Sequence, residues 1–367
     1  MAGPATARDG QEPVGDAETR EASRFGEAFT QGALSLDLRY RFEFVEDEAF
    51  EKQAYASTLR SALAFETAPL QGFFAGALLE NVTAIGNDTL YNNAGAGRLW
   101  NGVTDRPVVP DPALTEIDRA YLGYRGPLGL EIRAGRFDSS LDNTRFVGIG
   151  PWRQSHRSYV GVSAALGRPS GWRARYAFLD RVHYNNGSSP GLAGHLAHVS
   201  RSLGIGRLSG YAYLLDWEAA ERARLSSATF GARLAGSRPW GATEVLYHAE
   251  CARQVDYGSH PGEFALDYAH LGAGVRRGAW SLEIGWELKD GDGVNAVQTP
   301  IASNHGKNGF ADRLVVTPPE GSHDRYVRLR MDRDRWAWLL AYHDFQAATG
   351  NARLGRELDA QVRVSAT

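Results

Sequence analysis

A two-residue period runs through this chain from Ala33 to its last residues, and few folds are compatible with it. ALSLDLRYRFEF sets Leu34, Leu36, Leu38, Tyr40, Phe42 and Phe44 against Ser35, Asp37, Arg39, Arg41 and Glu43. Successive side chains of a strand point to opposite faces, so this is β alternation and not helical spacing. WSLEIGWELK repeats it, with Trp280, Leu282, Ile284, Trp286 and Leu288 opposing Ser281, Glu283, Glu287 and Lys289. So does ELDAQVRV, where Leu358, Ala360, Val362 and Val364 alternate with Glu357, Asp359, Gln361 and Arg363. Alternation alone fits a soluble sheet with one wet face equally well.

The connections discriminate better. Strands are expected near Ala33, Ala54, Leu70, Glu116, Leu130, Ser158, Trp172, Gly194, Arg207, Ser226, Ala242, Phe264, Trp280, Arg325, Arg335 and Glu357, about sixteen in all. Every second link is a tight turn rich in Gly, Pro or Asp, such as Gly126-Pro127-Leu128-Gly129, Arg276-Arg277-Gly278 and Asp332-Arg333-Asp334. The links between are longer, notably Asn81 to Thr115, Phe137 to Arg157, Arg181 to Ala193 and Asp290 to Asp324. One rim of short turns and one of long loops marks a transmembrane antiparallel β-barrel, with the turns on the periplasmic side. Rings near strand ends, namely Tyr40 and Phe44, Trp172 and Phe178, Tyr211 and Trp217, Trp280 and Trp286, Trp336 and Tyr342, are expected to form girdles at the two membrane interfaces.

Composition closes off other classes. The 367 residues average a mean hydropathy of -0.37 and contain no apolar run long enough for a membrane helix. Cys251 is the only cysteine, so no disulfide or cysteine zinc site forms within one chain. A net charge of -3 gives no support to nucleic-acid binding. Lys52, Lys289 and Lys307 are the only lysines, and the remaining cations are arginine, whose planar fork suits carboxylates and phosphates. The start of the chain lacks the apolar core of a secretory signal, which leaves a processed or mis-started product, or a cytosolic protein. Residues 1–28, rich in Gly, Pro, Glu and Asp, are expected to be a disordered lead, and 29–367 to be the barrel.

In a barrel the polar positions face the lumen. They carry Arg39, Arg41, Arg60, Arg119, Arg133, Arg173, Arg175, Arg233 and Arg363, interleaved with carboxylates that include Asp37, Glu43, Glu283 and Glu287. Fixed cations concentrate anions, and interleaved carboxylates keep them from binding too tightly to leave. For any single charge, mutual neutralisation that braces the wall is at least as good a reading. Two loops stand outside the alternation. Gly135 to Gln154 carries Arg136, Asp142, Asn143, Arg145, Arg153 and Gln154, and Asn304 to Asp312 carries Asn304, His305, Asn308 and Asp312. Loops of this length are functional or disordered, and these are expected to fold inward and narrow the passage.

Enzyme motifs are weak. HExxH and a Walker loop do not occur. His195 and His198 fall on opposite faces of a strand, and GIGRLSG reads as a hairpin turn. Asp142 beside Arg145 has no identifiable second carboxylate with which to form a glycosidase pair. No catalysis, cofactor or metal is expected.

Several segments resemble the alginate export porin family of bacterial outer membranes: DPALTEIDRAYLGYRGPLGLEIRAGR (Asp111 to Arg136), LDNTRFVGIGPWRQ (Leu141 to Gln154), YAYLLDW (Tyr211 to Trp217), AECARQVDYG (Ala249 to Gly258), SNHGKNGFADRLVVTPPEG (Ser303 to Gly321) and LGRELDAQVRV (Leu354 to Val364). The resemblance implies a wide monomeric barrel in outer-membrane lipid, whose arginine-rich lumen passes anionic polysaccharide or smaller anions down their gradient. It places Arg136, Asp142, Asn143, Arg145, Trp152, Arg153 and Gln154 in the family's first motif. Asn304, His305, Asn308, Gly309, Phe310 and Asp312 fall in its second. Export partners are left open. Family barrels have about eighteen strands, an even number. The expectation is therefore that an export signal and a closing C-terminal pair are missing here, so that the sheet closes at about sixteen strands or keeps two open edges. The alternative class is a soluble periplasmic or extracellular β protein that binds polysaccharide on an exposed sheet. A polysaccharide hydrolase or lyase is a more distant third.

Overall fold

The computed structural model describes residues 21–168, 170–350 and 352–365. Residues 1–20 of the expected lead lie outside the described residues. From there Ala22 bridges to Leu70, and a one-turn-and-a-half helix α1 (Phe25–Thr30) leads into the first strand.

Sixteen strands follow: β1 (Ala33–Val45), β2 (Ala54–Glu66), β3 (Phe73–Ala84), β4 (Leu114–Gly126), β5 (Leu130–Phe137), β6 (Ser158–Gly167), β7 (Trp172–His183) and β8 (Gly191–Leu203). The second eight are β9 (Gly206–Trp217), β10 (Ser227–Trp240), β11 (Thr243–Asp256), β12 (Ala265–Arg277), β13 (Trp280–Lys289), β14 (Ser322–Arg333), β15 (Trp336–Gln346) and β16 (Arg353–Val364). They form one antiparallel sheet in chain order, each bonded to the next. Among the described residues β1 and β16 are not paired with each other. The expected starts agree to within four residues, the largest difference being Arg353 in place of Glu357 for β16. Short turns alternate with long loops as the sequence predicts. Gly278 between β12 and β13 adopts φ 58, a backbone open to glycine at little cost.

Contacts divide the chain into two compact units. The first comprises the described residues of Met1–Leu141, with Val147–Leu166 and Ala177–Leu192; the second comprises Asp142–Phe146, Gly167–Tyr176 and Ala193–Thr367.

Along the cleanly alternating strands of both units, such as β1, β13 and β16, the apolar positions are the more exposed ones. Leu36 on β1 is 65% exposed and Leu358 on β16 is 70%, whereas Arg60 and Glu80 are buried. A soluble sandwich would bury the leucines against a second sheet and leave the charges wet. This is the inverse arrangement, and only a hydrocarbon surround makes it favourable. The wet-face alternative for the alternation is thereby set aside.

On the polar face, rings lie across neighbouring glycines: Tyr121 over Gly76, Phe74 over Gly123, Tyr211 over Gly231, His248 over Gly272 and Tyr326 over Gly285. A Cβ at any of these five glycines would come within 2.1 to 2.4 Å of the ring. The pairs are cross-strand neighbours in which one side supplies an aromatic and the other supplies no side chain.

The aromatic girdle needs one correction. Tyr40, Phe44, Trp172, Trp280 and Trp336 point outward as expected, but Tyr211 and Trp217 are buried on the polar side. Tyr211 stacks on Tyr213 at 4.7 Å beneath the ring of Phe146, so loop packing rather than an interface claims it.

Candidate functional site

In the first unit β1 presents Arg39 and Arg41 two residues apart on the polar face, and both reach the chain at 151–153. Arg39 donates to the carbonyls of Pro151 (3.0 Å) and Arg153 (3.1 Å) and to that of Trp152. Arg41 donates to the Trp152 carbonyl and to Glu43, with its guanidinium 4.1 Å from the centre of the Trp152 ring. Arg153 closes the group through Glu43 at 3.1 Å. Gln154 is fully buried: its side-chain amide donates to the Thr58 hydroxyl (2.9 Å) and carbonyl (3.1 Å), and its backbone N–H to Asp111 (2.8 Å). Burial pushes the Asp111 carboxyl up, against the opposing charges of Arg153 and Arg41.

The neighbouring strands repeat the pairing. Arg60 bridges Asp37 and Glu80, both at 2.5 Å. Arg136 binds Glu116 (2.6 Å), Asp118 (3.4 Å) and the Ser158 hydroxyl (2.7 Å). Arg119 meets Asp138 at 3.2 Å, and Arg133 meets Glu131 at 3.0 Å.

His156, just before β6, is buried close to the Arg60, Arg39 and Arg119 charges. Burial first, and then those charges, push its imidazole down to about 3. It is therefore neutral in the folded chain while an exposed histidine would titrate near 6.5. Below that pH the unfolded chain takes up a proton that the folded chain refuses. Stability should therefore fall by roughly 1.4 kcal/mol per pH unit from about pH 6.5 toward pH 3. Urea midpoints of His156→Gln against the parent at pH 7 and pH 5 test this: the gap should change by about 2 kcal/mol, and parallel pH curves would refute it.

In the second unit the segment Asp142–Phe146 rests on the polar face. Asp142 (φ 48) and Thr144 (φ 61) both hold the left-handed conformation that non-glycine residues disfavour. Specific contacts hold them there. Asp142 accepts from Ser209 at 2.8 Å and pairs with His198 at 2.9 Å. Burial pushes the Asp142 carboxyl up, and these partners outweigh it and bring the group below its ordinary value. Lys307 donates to the Asn143 carbonyl (2.5 Å), and the Ser303 N–H donates to the Thr144 carbonyl (3.0 Å). The Asn143 side chain donates to Glu250 at 3.1 Å.

Arg145 is the deepest charge, 2% exposed, and pairs with Glu287 at 2.5 Å. Burial disfavours the cation, and the Glu287 carboxylate more than offsets this and holds the guanidinium above its ordinary value. Glu287 also accepts from Tyr268 (2.7 Å) and Asn308 (2.6 Å), and Asn308 continues to Asp324 (3.1 Å), which pairs with His343 (2.9 Å). Ion pairing with additional hydrogen bonds is what makes a buried charge tolerable.

Of the second loop, Asn308 joins this network. Asn304 stays local with Thr299 (3.0 Å), and His305 with Asp312 (3.0 Å). Glu283 accepts from Tyr326 at 3.1 Å. Arg173 and Arg175 are half-buried on the polar side of β7. Arg173, Arg330 and Arg363 have no ion-pair or hydrogen-bonding partner among the described residues. The expected arginines therefore divide into a braced majority and two, Arg173 and Arg363, that remain open; Arg330, which the sequence did not single out, joins them. Sequence reasoning missed His156 and also Asp111, Glu80, Tyr268, Asp324 and His343, whose partners lie on other strands or loops. His195 and His198 diverge as expected, His195 to Tyr176 (2.8 Å) and His198 to Asp142.

Comparison with known proteins fits this geometry. The family model described as alginate export matches residues 31–313. Among solved structures, OccAB2 of Acinetobacter baumannii superposes with a TM-score of 0.71 at 15% identity, covering 93% of this chain and 89% of that one. OpdK of Pseudomonas aeruginosa, solved with vanillate, gives 0.71 at 13% identity, covering 91% and 88%. OccK9 (OpdG) of the same organism gives 0.72 at 12% identity, covering 91% and 88%. No curated protein sequence matches the chain. Exposed apolar strand faces, a charged inner face and the family match converge: this chain belongs to the alginate export family, an outer-membrane β-barrel channel.

Proposed function

We propose that the channel passes anions, and that its specific cargo is an alginate-like polyuronate moving down its own gradient. The observation that carries this reading is that Arg173, Arg330 and Arg363 stand on the polar face of the second unit without carboxylate partners. A guanidinium not matched by a protein carboxylate is available to a travelling one, and its planar fork fits that group. The family's description and the presence of vanillate, a carboxylate, in the OpdK structure support the same charge preference. The braced residues have a different task. Arg39, Arg41 and Arg153 hold residues 151–153 against β1, Arg136 ties β5 to Glu116 and Ser158, and Arg145 anchors its segment on Glu287.

In planar bilayers under a salt gradient, the reversal potential should have the sign of anion preference, and oligouronates should block the current. The double change R173E/R330E should reduce the anion-to-cation permeability ratio severalfold. A cation-selective parent, or a reversal potential unmoved by the double change, would overturn the assignment.

A further inference from the structure

The outer side of the second unit has a feature that transport of cargo does not use. Between β12 and β15 a groove of about 710 Å³ opens on the apolar face, lined by Leu271, Ala273, Ile284, Trp286, Val327 and Tyr342. Gly272 and Gly285 thin the wall behind it, so that it is backed by the rings of His248 and Tyr326. Such a slot is continuous with the lipid-facing surface and has the chemistry of acyl chains.

Charge gathers at one end of the slot. Arg325 lies beside Trp286 on one flank and Asp344 on the other in strand register, and is exposed. Asp344 also holds Arg353 (2.5 Å) and Arg356 (3.2 Å), and both of these are exposed as well. Two arginines share one carboxylate and a third, Arg325, stands beside them, which leaves two positive charges in excess. Arg325 itself has no hydrogen bond or ion pair among the described residues. Charges on the lipid side of a barrel are costly at mid-membrane and inexpensive near an interface. This group sits at the long-loop end of its strands, close to the links 290–321 and 347–352. In an outer-membrane barrel that end is extracellular.

We infer that this outer face binds one lipid of the external leaflet, with acyl chains in the Leu271–Ile284–Val327 groove and a phosphorylated headgroup on Arg325, Arg353 and Arg356. Guanidinium and phosphate make charge-assisted, bidentate hydrogen bonds, and the nearby apolar slot excludes water from the chains. Asp344 orients Arg353 and Arg356 in the absence of lipid and limits the excess charge. The inference rests on the outer-membrane placement but not on the identity of the cargo.

The test uses the full chain folded in uncharged detergent, with Trp fluorescence and thermal midpoint as readouts. Bis-phosphorylated lipid A should bind saturably and raise the midpoint. Its dephosphorylated form should bind at least tenfold more weakly, and inorganic phosphate should neither bind nor compete at equal concentration. R325Q and R356Q should each weaken the phosphorylated lipid about fivefold, while R277Q at the short-turn end should not. Ala273→Trp, which fills the groove and leaves every arginine in place, provides a second line should the charge variants fold poorly; it should weaken both lipids. Equal affinity for the two lipids, competition by free phosphate, or unchanged binding in both Arg325→Gln and Ala273→Trp would overturn the site. Because no current is measured, failure here leaves the anion-channel reading standing, and the reverse also holds.

Discussion

Replacing Arg145 by methionine should cost about 3–5 kcal/mol, the largest loss expected from any single change in this protein. The pair with Glu287 lies almost entirely out of solvent, so removing the cation leaves a buried carboxylate whose remaining hydrogen-bond donors among the described residues are Tyr268 and Asn308, with the Lys289 cation nearby. The measurement is urea unfolding of the refolded full chain in detergent, followed by Trp fluorescence. R145M/E287L should recover most of the loss, since a buried pair replaced by well-packed apolar groups is often neutral. A cost below about 1 kcal/mol for the single change would mean that Arg145 is solvated like an ordinary surface ion. Arg145 would then line the passage rather than brace it.

The second large effect comes from the opposite face. Leu79 sits mid-strand on β3 beside Leu63 and Ile117, all three exposed. In a soluble protein an arginine there would change stability by no more than about 0.5 kcal/mol. With hydrocarbon outside, Leu79→Arg should cost about 2–4 kcal/mol when folding is measured in phospholipid vesicles. The penalty should shrink for Leu128→Arg, in the turn between β4 and β5, because an interface position keeps access to water. Equal small costs at both positions would contradict a lipid surround.

Much of this architecture is written locally. The apolar-out alternation of ALSLDLRYRFEF fixes both the strand and its outward face, and Gly-, Pro- and Asp-rich turns fix where each hairpin reverses. Sixteen starts could therefore be placed, and β16 was misplaced only because Arg353 and Leu354 extend the strand past the clean alternation. The charged stretch from Gly135 to Gln154 was equally visible, although its first three residues belong to β5. What could not be read was which arginine meets which acid. Gln154 finds Thr58, and Arg145 finds Glu287, across 96 and 142 residues. Such pairings depend on where a loop lands, and no period encodes that. Tyr211 shows the same limit: its parity with Ser209 places it on the polar side, but the reason a ring belongs there is Phe146, which arrives from another part of the chain.

The five glycines that lie beneath aromatic rings have a consequence for how tightly the polar face can be tiled. Each ring lies flat like a tile because nothing projects beneath it, and one added methyl group would lift it off its strand. The relief of that face is thus set by its smallest residues as much as by its charges. Alanine at Gly231 or Gly285 would push Tyr211 or Tyr326 away from the carboxylate it now bonds, Glu250 or Glu283.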